Sequence, residues 1–230
     1  MSYRQRRCKC IRFLIRNKNM TDFQSTLRNA RLLIFDLGGV LIDIDVASSV
    51  RAFEKLGIKD INRYISQSHA VSGGFFADFE RGLISKDELF DNIRRMSGIN
   101  TLTNNEITHA WNAMLGPFVK ERIEVVERMK QTHETALLSN TNVLHYEQFN
   151  SQVPGYSSLD ELFDKTWYSH EMHLSKPDPE IYRAVLAAHG CRPEDALFFD
   201  DSQRNLDGAE SVGMKTCLVT AERGIVEILR

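Results

Sequence analysis

Leu32-Leu33-Ile34-Phe35-Asp36, followed at once by Leu37-Gly38-Gly39-Val40-Leu41, is the stretch that decides how this chain folds. Four apolar residues end in a carboxylate, and a glycine pair follows. A continuously apolar strand is buried on both faces, as in a parallel sheet. Polar groups at its C-terminal end face the crevice where open α/β sheets bind ligands. The glycines let the backbone turn sharply, approach a ligand closely and adopt positive φ where needed. Asp36 is thereby placed as a reactive group. Taken alone it reads equally well as a turn cap, a common role for Asp after a strand.

The rest of the chain weighs between these readings. Residues 135–139, 165–168, 196–200 and 215–219 also read as buried or half-buried strands. Helical patterns lie between most of them. Ile123, Val126 and Met129 share one face of 118–130, and Ile181, Val185 and Leu186 share one face of 179–189. A short helix at 205–212 stops at Gly213. Strand–helix alternation of this kind predicts an α/β fold, a parallel sheet covered on both faces.

One interval breaks the pattern. From Asp36 to Ser139 is 103 residues, far more than one crossover needs. It reads as helices at about 46–56, 60–69, 85–97 and 103–115. Ser85-x-x-Glu88 and Thr103-x-x-Glu106 are capping boxes that start the last two. A helical subdomain, 47–116, is therefore expected to be inserted after the first strand, beside Asp36 and able to close over it. Ser72-Gly73-Gly74 supplies loose backbone within it. The expected divisions are 1–29 as a basic, disordered or extraneous extension, 30–46 with 117–230 as the core, and 47–116 as the insert.

The composition, 42% hydrophobic and 26% charged, is that of an ordinary soluble enzyme. No apolar run approaches the length of a membrane span. Arg4, Arg6, Arg7, Lys9, Arg12, Arg16 and Lys18 crowd the first 19 residues. Removing those seven from the 29 basic residues leaves 22 against 31 acidic ones, a net charge of −9 from Met20 onward. So acidic a body argues against nucleic-acid binding. Cys8 and Cys10 form a lone Cys-x-Cys without a second ligand pair, which argues against zinc. Cys191 and Cys217 read as reduced packing residues, in keeping with a reducing cytoplasm.

Consecutive parallel strands end on one edge of the sheet, so the polar residues after each can converge. These are Asp36, then Ser139-Asn140-Thr141-Asn142, then Ser175-Lys176-Pro177-Asp178, then Asp200-Asp201-Ser202. Each has a bland reading as turn, cap or solvated surface. Together they make a chemical set. Two or three carboxylates at one edge need a cation, and hard oxygen donors suit Mg²⁺. A hydroxyl, an amide and an ammonium suit a phosphoryl group.

Asp36-x-Gly38-Gly39-Val40, Ser139-Asn140, Lys176-Pro177 and Asp200-Asp201-x₃-Asn205 resemble the four ordered motifs of the haloacid dehalogenase-like hydrolases, from about Leu32 to Val219. The resemblance implies a Rossmann-like parallel-sheet core with an inserted helical cap, as in subfamily IA. Phe79-Glu80-Arg81-Gly82-x-Ile84-Ser85, Leu138–Asn142 and Ala110-Trp111-Asn112-Ala113 are similar to its variant 3 branch, which includes bacterial α-D-glucose-1-phosphatase. It further implies that Asp36 attacks phosphorus, and that Ser139 and neighbouring amides, Asn140 among them, hold phosphoryl oxygens. Lys176 would steady Asp36 and the phosphate. Mg²⁺ would be held by Asp36, Asp201, Asp200 and the Gly38 carbonyl.

Gly38 departs from most phosphatases of the superfamily, which carry a second Asp there as acid and base. The resemblance implies a Mg²⁺-dependent phosphatase of small phosphorylated metabolites, with sugar phosphates such as glucose 1-phosphate first. A 2-haloacid dehalogenase and a non-catalytic regulatory protein on the same fold are the rivals. His170 and His173 read as surface or packing residues. Phe75, Phe76, Phe79 and Trp111 read as core of the insert, the alternative being that one lines the pocket.

Overall fold

The computed structural model describes residues 20–68 and 74–230. A helix at Met20–Asn29 (α1) leads into the strand Leu32–Phe35 (β1). A short strand, Ile42–Ile44 (β2), precedes the helices Val46–Lys55 (α2), Ile61–Ser68 (α3), Phe75–Glu80 (α4), Lys86–Ser97 (α5) and Asn104–Asn112 (α6). The strand Leu115–Phe118 (β3) returns to pair antiparallel with β2. Helix Lys120–Lys130 (α7) and strand Glu134–Ser139 (β4) follow, then helices Val143–Phe149 (α8) and Leu159–Leu162 (α9) and strand Lys165–Tyr168 (β5). The chain goes on through helices Ser169–Met172 (α10) and Pro179–Ala188 (α11) to strand Ala196–Asp200 (β6). Helix Gln203–Ser211 (α12), strand Lys215–Leu218 (β7) and helix Ile225–Ile228 (α13) end it.

The parallel sheet has the order β5-β4-β1-β6-β7, which puts β1 at its centre. Alternate side chains of β1 enter different cores. Leu32 and Ile34 pack with Leu138, Phe198 and the apolar faces of α11 and α12. Leu33 and Phe35 pack with Leu137, Phe199 and the faces of α7 and α13. With helices on both sides, every position of β1 and β6 is buried, which is why these two strands read as unbroken apolar runs.

Part of the expected extension belongs to this core. Phe23 and Leu27 stand about one helical turn apart on α1 and are buried with α7 and α13. Residues 20–29 are therefore a packed helix, a correction to the boundary at 29. Residues 1–19, with Cys8 and Cys10, and Ser72-Gly73 lie outside the described residues.

The inserted helices build a separate core around Phe53, Phe76, Phe79, Leu89, Ile107 and Trp111. Both capping boxes form: Ser85 Oγ accepts from the Glu88 N–H and Thr103 Oγ1 from the Glu106 N–H, while each glutamate accepts from its cap's own N–H. The β2–β3 ribbon, unforeseen in the sequence, carries the chain into and out of the insert. The helix expected to run to about 115 stops at Asn112, and Leu115 begins β3 instead, in an edge ribbon that accepts Pro117. Glycine is needed at 116, because the Asp43 carbonyl oxygen lies 2.7 Å from where a Cβ would stand.

Candidate active site

The expected residues meet at the C-terminal edge of the sheet. Asp36 extends β1 by one residue, its N–H donating to the Phe199 carbonyl at 2.9 Å. Ser139 and Asp200 end β4 and β6. Lys176 arrives from the loop between α10 and α11 and is almost wholly buried. Its Nζ lies 2.8 Å from Asp36 Oδ1 and 2.7 Å from Asp200 Oδ2.

The surrounding bonds fix each member. Asp36 Oδ1 also accepts the Leu37 N–H at 2.7 Å. Asp200 accepts from Lys176, from the Ser202 N–H at 2.8 Å and from Asn205 Nδ2 at 3.0 and 3.1 Å on its two oxygens. The Asn140 amide is spent on Lys176: it accepts that residue's N–H and donates to its carbonyl, both at 2.9 Å. Asn140 thus pins the backbone that carries the ammonium.

Asp201 points differently. Its carboxylate lies against Gly39, where Oδ2 would stand 2.2 Å from any Cβ, and Gly39 has φ +69°. Both facts demand glycine at 39. Gly38 lies outside the left-handed region, so the expected need for positive φ holds for Gly39 and not for Gly38. A Cβ at 38 would meet only the Ile44 side chain, at 3.0 Å.

Electrostatics follow from burial. Burial pushes the Asp36 pKa up to about 7, with Lys176 opposing and Asp200 adding to the rise. Asp201 is raised by burial and by Asp200. Burial works against the charge on Lys176, but Asp200 and Asp36 outweigh it and its pKa is raised. Asp36, Asp200 and Asp201 each bring an oxygen within 4.8 Å of the others. Three carboxylates against one ammonium leave two negative charges, which a divalent cation balances. The all-oxygen donor set fits Mg²⁺.

A cavity of about 1050 Å³ opens over this cluster and is lined by Asp36, Gly38, Ser139, Lys176 and Asp201. Its other walls include Glu80 and Arg81 of the insert, and Ile44, His145 and Arg204. These wall residues were not foreseen as site residues; only Glu80 and Arg81 carried a signal, as part of the Phe79–Ser85 motif. His145 is held structurally: Nε2 lies 3.3 Å from the Trp111 carbonyl, Nδ1 3.2 Å from Asn142 Nδ2, and its ring stacks on Trp111.

The remaining residues fall outside the cavity. Phe76, Phe79 and Trp111 are buried in the insert's core, Phe75 packs against it, and none of the four lines the cavity. His170 packs on Tyr146 and Tyr168, and His173 Nδ1 bonds the Arg81 carbonyl at 2.9 Å. Among the described residues, Cys191 and Cys217 are free and buried.

Comparison with known proteins agrees with this geometry. The family model of the haloacid dehalogenase-like hydrolases matches residues 30–213. A D-ribitol-5-phosphate phosphatase from Bacteroides thetaiotaomicron is 30% identical over 188 residues, 80% of this chain and 89% of that protein. A sesquiterpene phosphatase from Aspergillus oryzae is 26% identical over 79% of this chain and 85% of its own. A haloacid dehalogenase family enzyme from B. thetaiotaomicron, solved with magnesium and inorganic phosphate, superposes with a TM-score of 0.77 at 31% identity, covering 87% of this chain and all of that one. The L-2-haloacid dehalogenase of Xanthobacter autotrophicus reaches 0.55 at 19% identity over 84% and 80% of the two chains, a likeness of fold alone. With a carboxylate at the central strand's end, a buried lysine and a paired-acid loop on one sheet edge, and with this family model spanning most of its length, the chain belongs to the haloacid dehalogenase-like hydrolases.

Proposed function

We propose that this protein is a Mg²⁺-dependent phosphatase of small phosphorylated metabolites, working through an aspartyl phosphate on Asp36. The observation that carries the reading is the carboxylate cluster itself. It has more negative charge than Lys176 offsets, and it stands at the floor of a cavity large enough for a small metabolite. On this reading residues 30–46 and 117–230, with α1, are the hydrolase core and 47–116 the cap.

Asp36, Asp200 and Asp201, with the Gly38 carbonyl, would hold Mg²⁺. Bound there, the cation supplies charge neutralisation and polarisation of phosphoryl oxygen. Lys176 and the Leu37 N–H fix the Asp36 carboxylate, whose oxygen bonds to phosphorus as the ester oxygen departs with its electron pair. Ser139 and nearby backbone N–H groups hold the phosphoryl oxygens. Water then attacks phosphorus, phosphate leaves, the Asp36 carboxylate is restored, and the proton that water gives up offsets the one the departing oxygen takes from solvent. Asn140 keeps Lys176 in register throughout.

Sugar phosphates and sugar-alcohol phosphates are the first substrates to test. The ribitol-phosphate relative supports the second group. Glucose 1-phosphate remains attractive because Gly38 supplies no acid, and an anomeric oxygen leaves more readily than an ordinary hydroxyl. The dehalogenase reading is disfavoured by Asp200-Asp201, since adjacent acids would repel a carboxylate substrate. The non-catalytic reading has only Gly38 in its support. Among the described residues no helix is long and apolar enough to cross a membrane.

The test is phosphate release from a panel of sugar phosphates, sugar-alcohol phosphates and nucleotides, with Mg²⁺ and after EDTA. Release that stops in EDTA and returns with Mg²⁺ is expected. Full activity in EDTA, or no release from any ester, would overturn the reading.

A further inference from the structure

The insert touches the core through a turn whose contacts the mechanism above leaves unused. Glu80-Arg81-Gly82 follows α4 and bears two of the cavity's wall residues. It rests on α10 and the residue after it. Ser169, wholly buried, has its Oγ 2.6 Å from the Glu80 carbonyl oxygen. His173 Nδ1 reaches the Arg81 carbonyl at 2.9 Å. Gly82, with φ +64°, lies so close that a Cβ there would stand 2.0 Å from the His170 carbonyl oxygen. Only glycine permits that approach.

Ser169 also reaches the opposite way. Its Oγ accepts the Thr141 N–H at 2.9 Å and lies 2.8 Å from the Thr141 carbonyl oxygen. Thr141 is two residues past Ser139, in the loop proposed to hold the phosphoryl group. One hydroxyl thus bridges that loop and the turn carrying Glu80 and Arg81. A serine hydroxyl has one proton, and two carbonyl acceptors lie within its reach.

We propose that Ser169 is a positioning residue that docks the Glu80–Gly82 turn of the insert and ties it to the Ser139–Thr141 loop. With the insert docked, the proton goes to the Glu80 carbonyl. With the insert lifted, it turns to the Thr141 carbonyl, so no buried hydroxyl loses its partner and release is not penalised there. The Thr141 N–H keeps its acceptor in both states. Docking therefore brings Glu80 and Arg81 over the nucleophile without disturbing the phosphoryl-holding loop. This rests on the phosphatase reading only for its kinetic consequence.

The test compares wild type, Ser169→Ala and Gly82→Ala by site-resolved amide hydrogen exchange and by kinetics. In Ser169→Ala the Thr141, Gly82 and Leu83 amides should all lose protection. In Gly82→Ala the turn should lose protection while Thr141 keeps it. Both variants should lose about tenfold more kcat/KM for a sugar-alcohol phosphate, which reaches up to the insert, than for p-nitrophenyl phosphate. Unchanged exchange at 82–83 in Ser169→Ala would overturn the proposal, as would equal kinetic losses on the two esters. So would loss of Thr141 protection in Gly82→Ala. If wild type released phosphate from neither ester, the phosphatase reading would fail, and the exchange results would still decide the docking role.

Discussion

Burial is what sets the electrostatics of Asp36. Its folded pKa is about 7, against an ordinary value of about 3.9 in an unfolded chain. The folded state thus binds this proton more tightly. Its stabilising contribution is full below about pH 4 and is lost as pH rises to about 7. Metal-free protein should therefore lose stability over that window in thermal melts, and Asp36→Asn should flatten the fall. An unchanged slope in the variant would assign the pH dependence elsewhere. The neighbouring acids should separate. Asp200→Ala leaves buried Lys176 short of a partner and should lower the melting temperature more. Asp201→Ala should weaken Mg²⁺ activation more, read by Mg²⁺ titration of activity. Equal effects on both readouts would contradict this division. Gly38→Asp should fold, since a Cβ there meets only the Ile44 side chain, at 3.0 Å. It should raise turnover of esters with poor leaving groups, such as 6-phosphates, by up to about 10²-fold. Glycosyl 1-phosphates should gain little. Gly39→Ala meets the Asp201 carboxylate and should lose Mg²⁺ activation; equal tolerance at 38 and 39 would contradict the geometry.

Among the elements, legibility followed length and local chemistry. The strands at 32–36, 135–139 and 196–200 were readable because burial on both faces leaves only apolar residues. The helices after Ser85 and Thr103 were readable because their caps are written in side chains that bond the first turn. Ser85→Ala and Thr103→Ala should each cost about 1 kcal/mol, seen as lowered thermal or denaturant midpoints. No change in either would mean that the insert's core alone holds those helix ends. The β2–β3 ribbon was hidden because three residues are too few to show a period, and Gly116-Pro117 imitates a turn. Helix α1 was hidden by its place beside a basic head, although Phe23 and Leu27 carried the helical spacing. The site's floor could be read from three strand ends and the Lys176 loop. Its walls could not, because which face Glu80, Arg81 or Arg204 presents depends on how the insert packs on the core. Ser169 gave no signal at all: its role lies in two backbone carbonyls that come from distant segments.

On the scale of the whole molecule, the sheet with its two flanking cores meets the helical insert over one sheet edge. The parallel sheet holds Asp36, Ser139, Lys176, Asp200 and Asp201 together, and the helical insert roofs the space above them. On the proposed reading, the carboxylate cluster and the cavity above it serve hydrolysis of a small phosphorylated metabolite with Asp36 as nucleophile. The most direct measurement is phosphate release in Mg²⁺ by wild type and by Asp36→Asn, with thermal melting of both to show matched folds. Wild type should release phosphate from at least one sugar or sugar-alcohol phosphate, and the folded variant should release none above background. Substantial release by a folded Asp36→Asn protein would contradict the assignment of Asp36 as nucleophile, and with it the account given for this site.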